Sequence, residues 1–158
     1  MIYGKAVREV LARGNVPIRE FERERTLDKG LNDNEVMWAL LHKKLQAFEK
    51  EDDWAGMKEI YYDIATFLRV EERSFFYMLK QARRCELMEY KEAHVERVAI
   101  VTADGENKPC DMCLAMSGRM FELAEVLETM PLPNKACKRI IGGSKEPWCR
   151  CSYEPVDT

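Results

Sequence analysis

Histidine is scarce in this sequence: His42 and His94 are the two in 158 residues. Neither belongs to a His-Glu-x-x-His pattern, which would set two imidazoles and a general base on one helix face, so zinc-activated water is not expected. A phosphate-cradling loop is missing too, because Gly142-Gly143 after Ile140-Ile141 lacks the lysine of a Walker sequence, and no nucleophile elbow occurs. No catalytic residue is assigned on these grounds, and the chain reads as a non-enzyme. No apolar stretch approaches the ~20 residues of a membrane span. The opening run, residues 1–10, carries interior charges where a secretory signal has its apolar core. A cytoplasmic protein without a membrane partner is the expectation, and cysteines in that compartment are thiols or thiolates more often than disulfides. Positive charge is not in excess: 25 Lys and Arg face 28 Asp and Glu, for a net charge of −3, which disfavours coating of duplex phosphate by charge alone.

Chain breakers are rare in the first hundred residues, where Pro17 is the one proline and Cys85 the one cysteine. Five prolines, five cysteines and four of the eight glycines follow residue 100. This asymmetry predicts two parts, a helical bundle over residues 1–98 and a Cys-rich module over residues 99–158. In the first part Val7, Val10 and Leu11 share a helix face that Gly14 is placed to end. Residues 15–32 alternate charges around Ile18, Phe21 and Leu27, which suits either a helical turn or an arm lying on the body. Asn32 with Glu35 reads as a capping box for a helix to about Lys50, with Val36, Met37, Leu40, Leu41, Leu45 and Phe48 on its apolar face. Asp52 or Asp53 caps the next, in which Met57, Ile60, Tyr61, Ile64, Phe67 and Leu68 keep helical spacing. A fourth runs from about Glu72 to Tyr90, burying Phe75, Met78, Leu79, Ala82 and Cys85 or Leu87. Short links force antiparallel neighbours. Trp38, Trp54 and Tyr61-Tyr62 resemble aromatic positions of tetratricopeptide repeats, but such solenoids need about three repeats to bury their faces, and an antiparallel bundle is the reading for this length of helix.

Beyond His94 the texture turns β-branched. Residues 95–102 read as a strand with a turn at Asp104-Gly105, followed by a second turn at Ser117-Gly118 and a short strand through residues 119–121. A short helix over residues 123–129 and a last strand from Trp148 to Tyr153 complete the pattern. Cys110-Asp-Met-Cys113 directs two sulfurs at one ion, and tetrahedral zinc needs two more. Cys137, Cys149 and Cys151 are the candidates. The first choice is Cys110, Cys113, Cys137 and Cys149, with Cys151 in reserve for Cys149, since two adjacent ligands in Cys-x-Cys beside two others strain a tetrahedron. A redox dithiol would want its first cysteine at a helix N-terminus after a strand, whereas this pair leads to a glycine turn. Iron ranks below zinc because a four-thiolate iron site of the rubredoxin type uses two Cys-x2-Cys pairs. Inert buried thiols are the remaining reading. The fold class expected is therefore mainly α: an antiparallel helical bundle followed by a small, zinc-stabilised α+β knuckle.

Cys110-Asp-Met-Cys113, then Leu114 through Gly118 to Phe121, Pro131-Leu-Pro133 and Pro147-Trp-Cys-Arg-Cys151 with Tyr153 and Pro155, resemble the C-terminal module of phage Mu F-like head-morphogenesis proteins. That module carries Cys-x2-Cys, a hairpin with Gly-x-x-Phe and a closing His-Pro-x-Cys-Arg-Cys. The resemblance covers about a third of the chain and implies a compact metal knuckle in a protein of phage or prophage origin. Glu146 stands where the family has histidine, and Cys137 with the eleven residues after it (138–148) has no counterpart there, which offers Cys137 as the replacement ligand.

The segment between Cys137 and Cys151 is also the expected contact surface, through Lys138, Arg139, Ile140, Ile141, Lys145, Trp148 and Arg150. Residues 99–158 nonetheless hold seven Lys and Arg against nine Asp and Glu, a balance that favours a protein partner over nucleic acid. The expected function is a small zinc-binding interaction or adaptor protein; a nucleic-acid-binding or nuclease-associated zinc module is the alternative.

Overall fold

The computed structural model of the chain describes residues 3–102, 111–141 and 144–157. The turn expected at Asp104-Gly105, the ligand candidate Cys110 and the glycines Gly142 and Gly143 lie outside the described residues. The fold is mainly α, with a small antiparallel sheet in the C-terminal part. In chain order the elements are α1 (Lys5–Arg13), α2 (Ile18–Leu27), α3 (Asp33–Lys50), α4 (Trp54–Val70), α5 (Phe76–Glu92), β1 (Arg97–Val101), α6 (Asp111–Leu114), β2 (Met120–Glu122), α7 (Leu123–Thr129) and β3 (Ser152–Pro155).

Local chemistry sets these boundaries. Gly14 ends α1 at φ 85°, a left-handed conformation that a Cβ disfavours. Asn32 Oδ1 accepts from the Glu35 amide at 2.9 Å while Glu35 Oε2 accepts from the Asn32 amide at 2.9 Å, the reciprocal box read from the sequence. Asp53 Oδ1 caps α4 by accepting from the Gly56 amide at 2.9 Å. Glycine is required at that position, since a Cβ there would stand 2.7 Å from Cδ1 of Phe48.

Residues 15–32 form a helix for most of their length, and the reason is electrostatic more than apolar. Only Phe21 of α2 is buried, edge-on to Tyr3 with ring centroids 5.3 Å apart, while Ile18 and Leu27 are exposed. Lys44 to Glu20 and Lys43 to Glu24, each at 3.0 Å, and Arg25 to Asp33 at 2.9 Å tie the helix to α3 and its entrance. Three of the alternating charges, Glu20, Glu24 and Arg25, thus pair across to α3, which a search for apolar period does not register.

Helix α4 is the centre of the bundle, packing on α1, α3 and α5. Its face of Met57, Ile60, Ile64 and Leu68 meets Val7 and Val10 of α1 and Val36, Met37, Leu40 and Leu41 of α3 in one apolar core. A second core forms around the sheet, whose order is β2-β1-β3 with all pairs antiparallel. Val98 and Ile100 of β1 point into it, with Leu123 and Val126 of α7 and Leu132. Gly118 turns the chain between α6 and β2 at φ 80°, donating its amide to the Ile100 carbonyl at 2.9 Å. Helix α5 serves both cores: Leu79 and Cys85 belong to the first, Leu87 to the second, and Tyr90 packs on the second.

Part of the expected contact segment is docked on the bundle, through Glu146 and Trp148. Phe75, at the N-cap of α5, has no side-chain oxygen to offer, and Glu146 supplies the cap instead: Oε2 accepts from the Phe75 amide at 2.8 Å and Oε1 from Ser74 Oγ at 3.1 Å. Trp148 stacks on Phe75 with centroids 5.1 Å apart. Glu146→Ala is expected to cost about 1 kcal/mol, as removal of a helix cap does, read as a lower urea midpoint with loss of amide protection in the first turn of α5. An unchanged midpoint would show that the cap is dispensable.

Candidate metal centre

Three sulfurs converge in the second core. Cys113 comes from α6, a single helical turn to which the sequence reading assigned no helix, and its side chain is buried. Cys149 and Cys151 are buried on either side of exposed Arg150, the alternation of an extended segment in which residues i and i+2 share a face. The ligand atoms of Cys113, Cys149 and Cys151 all lie within 4.8 Å of one another. A tetrahedral ion at ~2.3 Å from each sulfur would hold them about 3.8 Å apart, so the arrangement is a cluster that could hold a metal ion.

Asn134 organises this corner. Its amide donates to Cys149 Sγ at 3.5 Å, its Nδ2 donates to the Met112 carbonyl at 3.1 Å, and its carbonyl accepts from the Cys137 amide at 3.0 Å. One side chain and its backbone thereby connect α6, the Cys137 turn and the Cys-x-Cys segment. Within the cluster Cys149 is held well below the ordinary thiol range, chiefly by the hydrogen bond it accepts from Cys151, with the Asn134 amide and Cys113 assisting against burial. Cys151, as the donor, is pushed upward. A thiolate stabilised among neighbouring thiols is the chemistry that a soft divalent ion exploits, since binding replaces their shared protons.

The structure places the expected residues as follows. Cys113, Cys149 and Cys151 come together, so Cys151 sits with Cys149 where the sequence reading held it in reserve. The pair can share a centre because the extended backbone at 149–151 turns both sulfurs inward and only Arg150 outward. Cys137 is buried in the same apolar core, yet its sulfur is outside that group. Cys110 lies outside the described residues. Glu146, in the position of the histidine of the resembling module, is turned to α5. Lys138, Ile140, Lys145 and Arg150 are exposed, while Arg139, Ile141 and Trp148 are half-buried. Burial, followed by the nearby charge of Arg150, lowers the pKa of Arg139, against the raising influence of Cys137, Cys149 and Cys113.

Neither histidine joins the sulfurs. His42 Nδ1 is 2.9 Å from the Trp38 carbonyl one turn earlier. His94-Val-Glu96 ahead of Pro109-Cys-Asp-Met-Cys113 repeats the residue order in which zinc deaminases arrange a ligand and a proton carrier, but His94 is exposed at φ 60° and belongs to no described ligand group.

Glu86, Tyr90 and Tyr153, to which the sequence reading gave no such role, fasten the centre to the bundle. Glu86, on α5 and 5% exposed, accepts from the Tyr153 amide through Oε1 at 3.0 Å and is paired with Arg83 through Oε2. The Tyr153 carbonyl accepts from Tyr90 Oη at 2.9 Å, and the Tyr153 hydroxyl accepts from the Leu132 amide at 3.1 Å. Contacts spanning more than sixty residues leave no local signature; for Asn134, the Pro-Asn turn pair at 133–134 was the available hint.

Cys85 stands apart, buried between α5 and α4, its thiol pushed up to about 12 by burial and then by the charge of Glu89. Native protein treated with iodoacetamide at about pH 8 is expected to stay unmodified there, because the thiolate is the nucleophile. Rapid labelling of Cys85 in a folded sample would contradict its placement. Among the described residues no helix is long and apolar enough to cross a membrane. Compared with protein-family models, curated proteins and solved structures, the chain matches none of them.

Proposed function

We propose that this chain is a small interaction protein whose C-terminal module is clasped by a structural zinc ion on Cys113, Cys149 and Cys151, with Cys110 as the fourth thiolate. The observation that carries the reading is the meeting of three buried sulfurs from two segments far apart in sequence. Cys110 is assigned from its Cys-x2-Cys spacing to Cys113. Four thiolates leave no position for a reactive water, so the ion's role is to fold a segment too small and turn-rich to stabilise itself. Zinc is preferred to iron because the chain has one Cys-x2-Cys pair. The likeness to the phage Mu F-like module supports a phage-derived setting, and the exposed Ile140 beside Lys138 supports a protein partner.

Metal analysis of protein purified without chelator tests this: about one equivalent of zinc per chain is expected for a single four-ligand site. Fully folded, metal-free wild type would sink it. Filter binding of nucleic acid at two salt concentrations separates the adaptor reading from the nucleic-acid one, because phosphate contacts impose a steep salt slope.

A further inference from the structure

A cleft of about 460 Å³ opens between the bundle and the Cys-x-Cys segment. Four arginines line it from four separate stretches of chain: Arg13 at the end of α1, Arg69 on α4, Arg83 on α5, and Arg150 between the two clustered cysteines. Glu59 is the one carboxylate residue in its lining. In a chain of net charge −3, such convergence is not a consequence of composition.

The arginines are held from behind. Asp63, fully buried, pairs with Arg13; Glu9 pairs with Arg69; Glu86 pairs with Arg83. Aromatic rings support the same planes: the guanidinium carbons of Arg13 and Arg83 lie 5.7 and 5.2 Å from the Tyr62 centroid, and that of Arg69 lies 5.8 Å from Trp148. The side chains of Arg69 and Arg83 keep only 13% and 14% of their exposure, and each spends one terminal nitrogen on its carboxylate. A guanidinium has five N–H donors, so donors remain for a ligand; Asp63 and Glu86 fix their arginines from buried positions, while Glu9 is partly exposed and Glu59, in the lining, also pairs with Arg13 at 3.3 Å. Planar forks approaching one space from several sides suit an oxyanion with several equivalent oxygens, and arginine recognises phosphate in this bidentate manner.

We infer that this cleft binds a phosphoryl group, carried by a mononucleotide-sized ligand or by the backbone of a single strand of nucleic acid. The volume fits the former, since small-molecule sites begin near ~300 Å³. The inference is independent of the metal assignment, because metal content and phosphate binding are measured separately, although the clasp would position Arg150.

Calorimetric titration of the full chain, purified without chelator, with pyrophosphate, adenosine monophosphate and a short single-stranded oligonucleotide tests it. Binding of at least one probe is expected, weakened about tenfold or more by Arg150→Gln and again by Arg69→Gln, the scale of a lost charge-assisted pair. Arg150 is exposed and the partner of Arg69 is partly hydrated, so both variants should keep wild-type circular dichroism and metal content. Oligonucleotide binding with a steep salt slope, displaced by pyrophosphate, identifies a nucleic-acid source; binding of the small probes alone identifies a free phosphorylated ligand. No heat with any probe, or affinity unchanged in the double variant, overturns the inference.

Discussion

Replacing Cys113 by serine is expected to release the proposed zinc ion and dissolve the ordered structure of residues 111–141 and 144–157. A structural zinc site contributes apparent binding free energy on the order of 10–16 kcal/mol, as large as the ~5–15 kcal/mol that stabilises a whole domain. Cys149→Ser and Cys151→Ser are expected to be as severe as each other, because both sulfurs lie in the same group. Cys137→Ser, outside it, should retain about one equivalent of zinc, the full content of a four-ligand site. Metal content by mass spectrometry and hydrogen exchange check the set together. Exchange should accelerate in β1, α7 and the C-terminal half of α5, which share the second core, while α3 and α4 keep their protection. Full zinc in Cys151→Ser would return the choice to a single ligand from the Cys-x-Cys pair.

Glu86→Ala is expected to cost about 3–5 kcal/mol, the range for removing one partner of a buried ion pair. The loss is large because two groups are stranded at once: the Arg83 guanidinium, already mostly buried, and the Tyr153 amide. Glu86→Gln keeps an acceptor for Tyr153 and should lose less. The two variants also differ from wild type in their response to acid. Burial raises the carboxyl pKa of Glu86 above its ordinary 4.5, against the opposing influence of Arg83 and the Tyr153 amide. The folded state therefore holds this proton more tightly than the unfolded chain, and wild type gives up stability as pH rises from the ordinary value through the raised one. Glu86→Gln carries no such proton and should lack that contribution. Urea midpoints of the three proteins across the acid range measure it; a Glu86→Ala midpoint equal to wild type would remove Glu86 from its role as the fastening between bundle and sheet.

Much of this architecture was legible beforehand because its causes are local. The Asn32 box, the Asp53 cap, the glycine stop at Gly14 and the period-3.6 faces of α3, α4 and α5 all act within one or two turns of chain. Helix α2 was legible only in part, since its pairs reach to α3 and its apolar content reduces to Phe21. The cysteine spacing pointed to a cluster of thiols, and Cys113 and Cys149 are in it. Cys151 was held in reserve because two ligands from one Cys-x-Cys strain a tetrahedron, and its sulfur nonetheless lies with the other two.

What the sequence by itself determined is the helices α1, α3, α4, α5 and α7 and the concentration of thiols near the C-terminus, since periodicity, caps and residue type each act at short range. Only the tertiary structure decided which sulfurs meet, that Glu146 caps α5, that Glu86 anchors Tyr153, and that four arginines spread over residues 13 to 150 face one cleft. Those outcomes depend on how α1, α4, α5 and the Cys-x-Cys segment pack against one another. Packing brings together side chains separated by scores of residues, and no short-range rule ties their identities to one another.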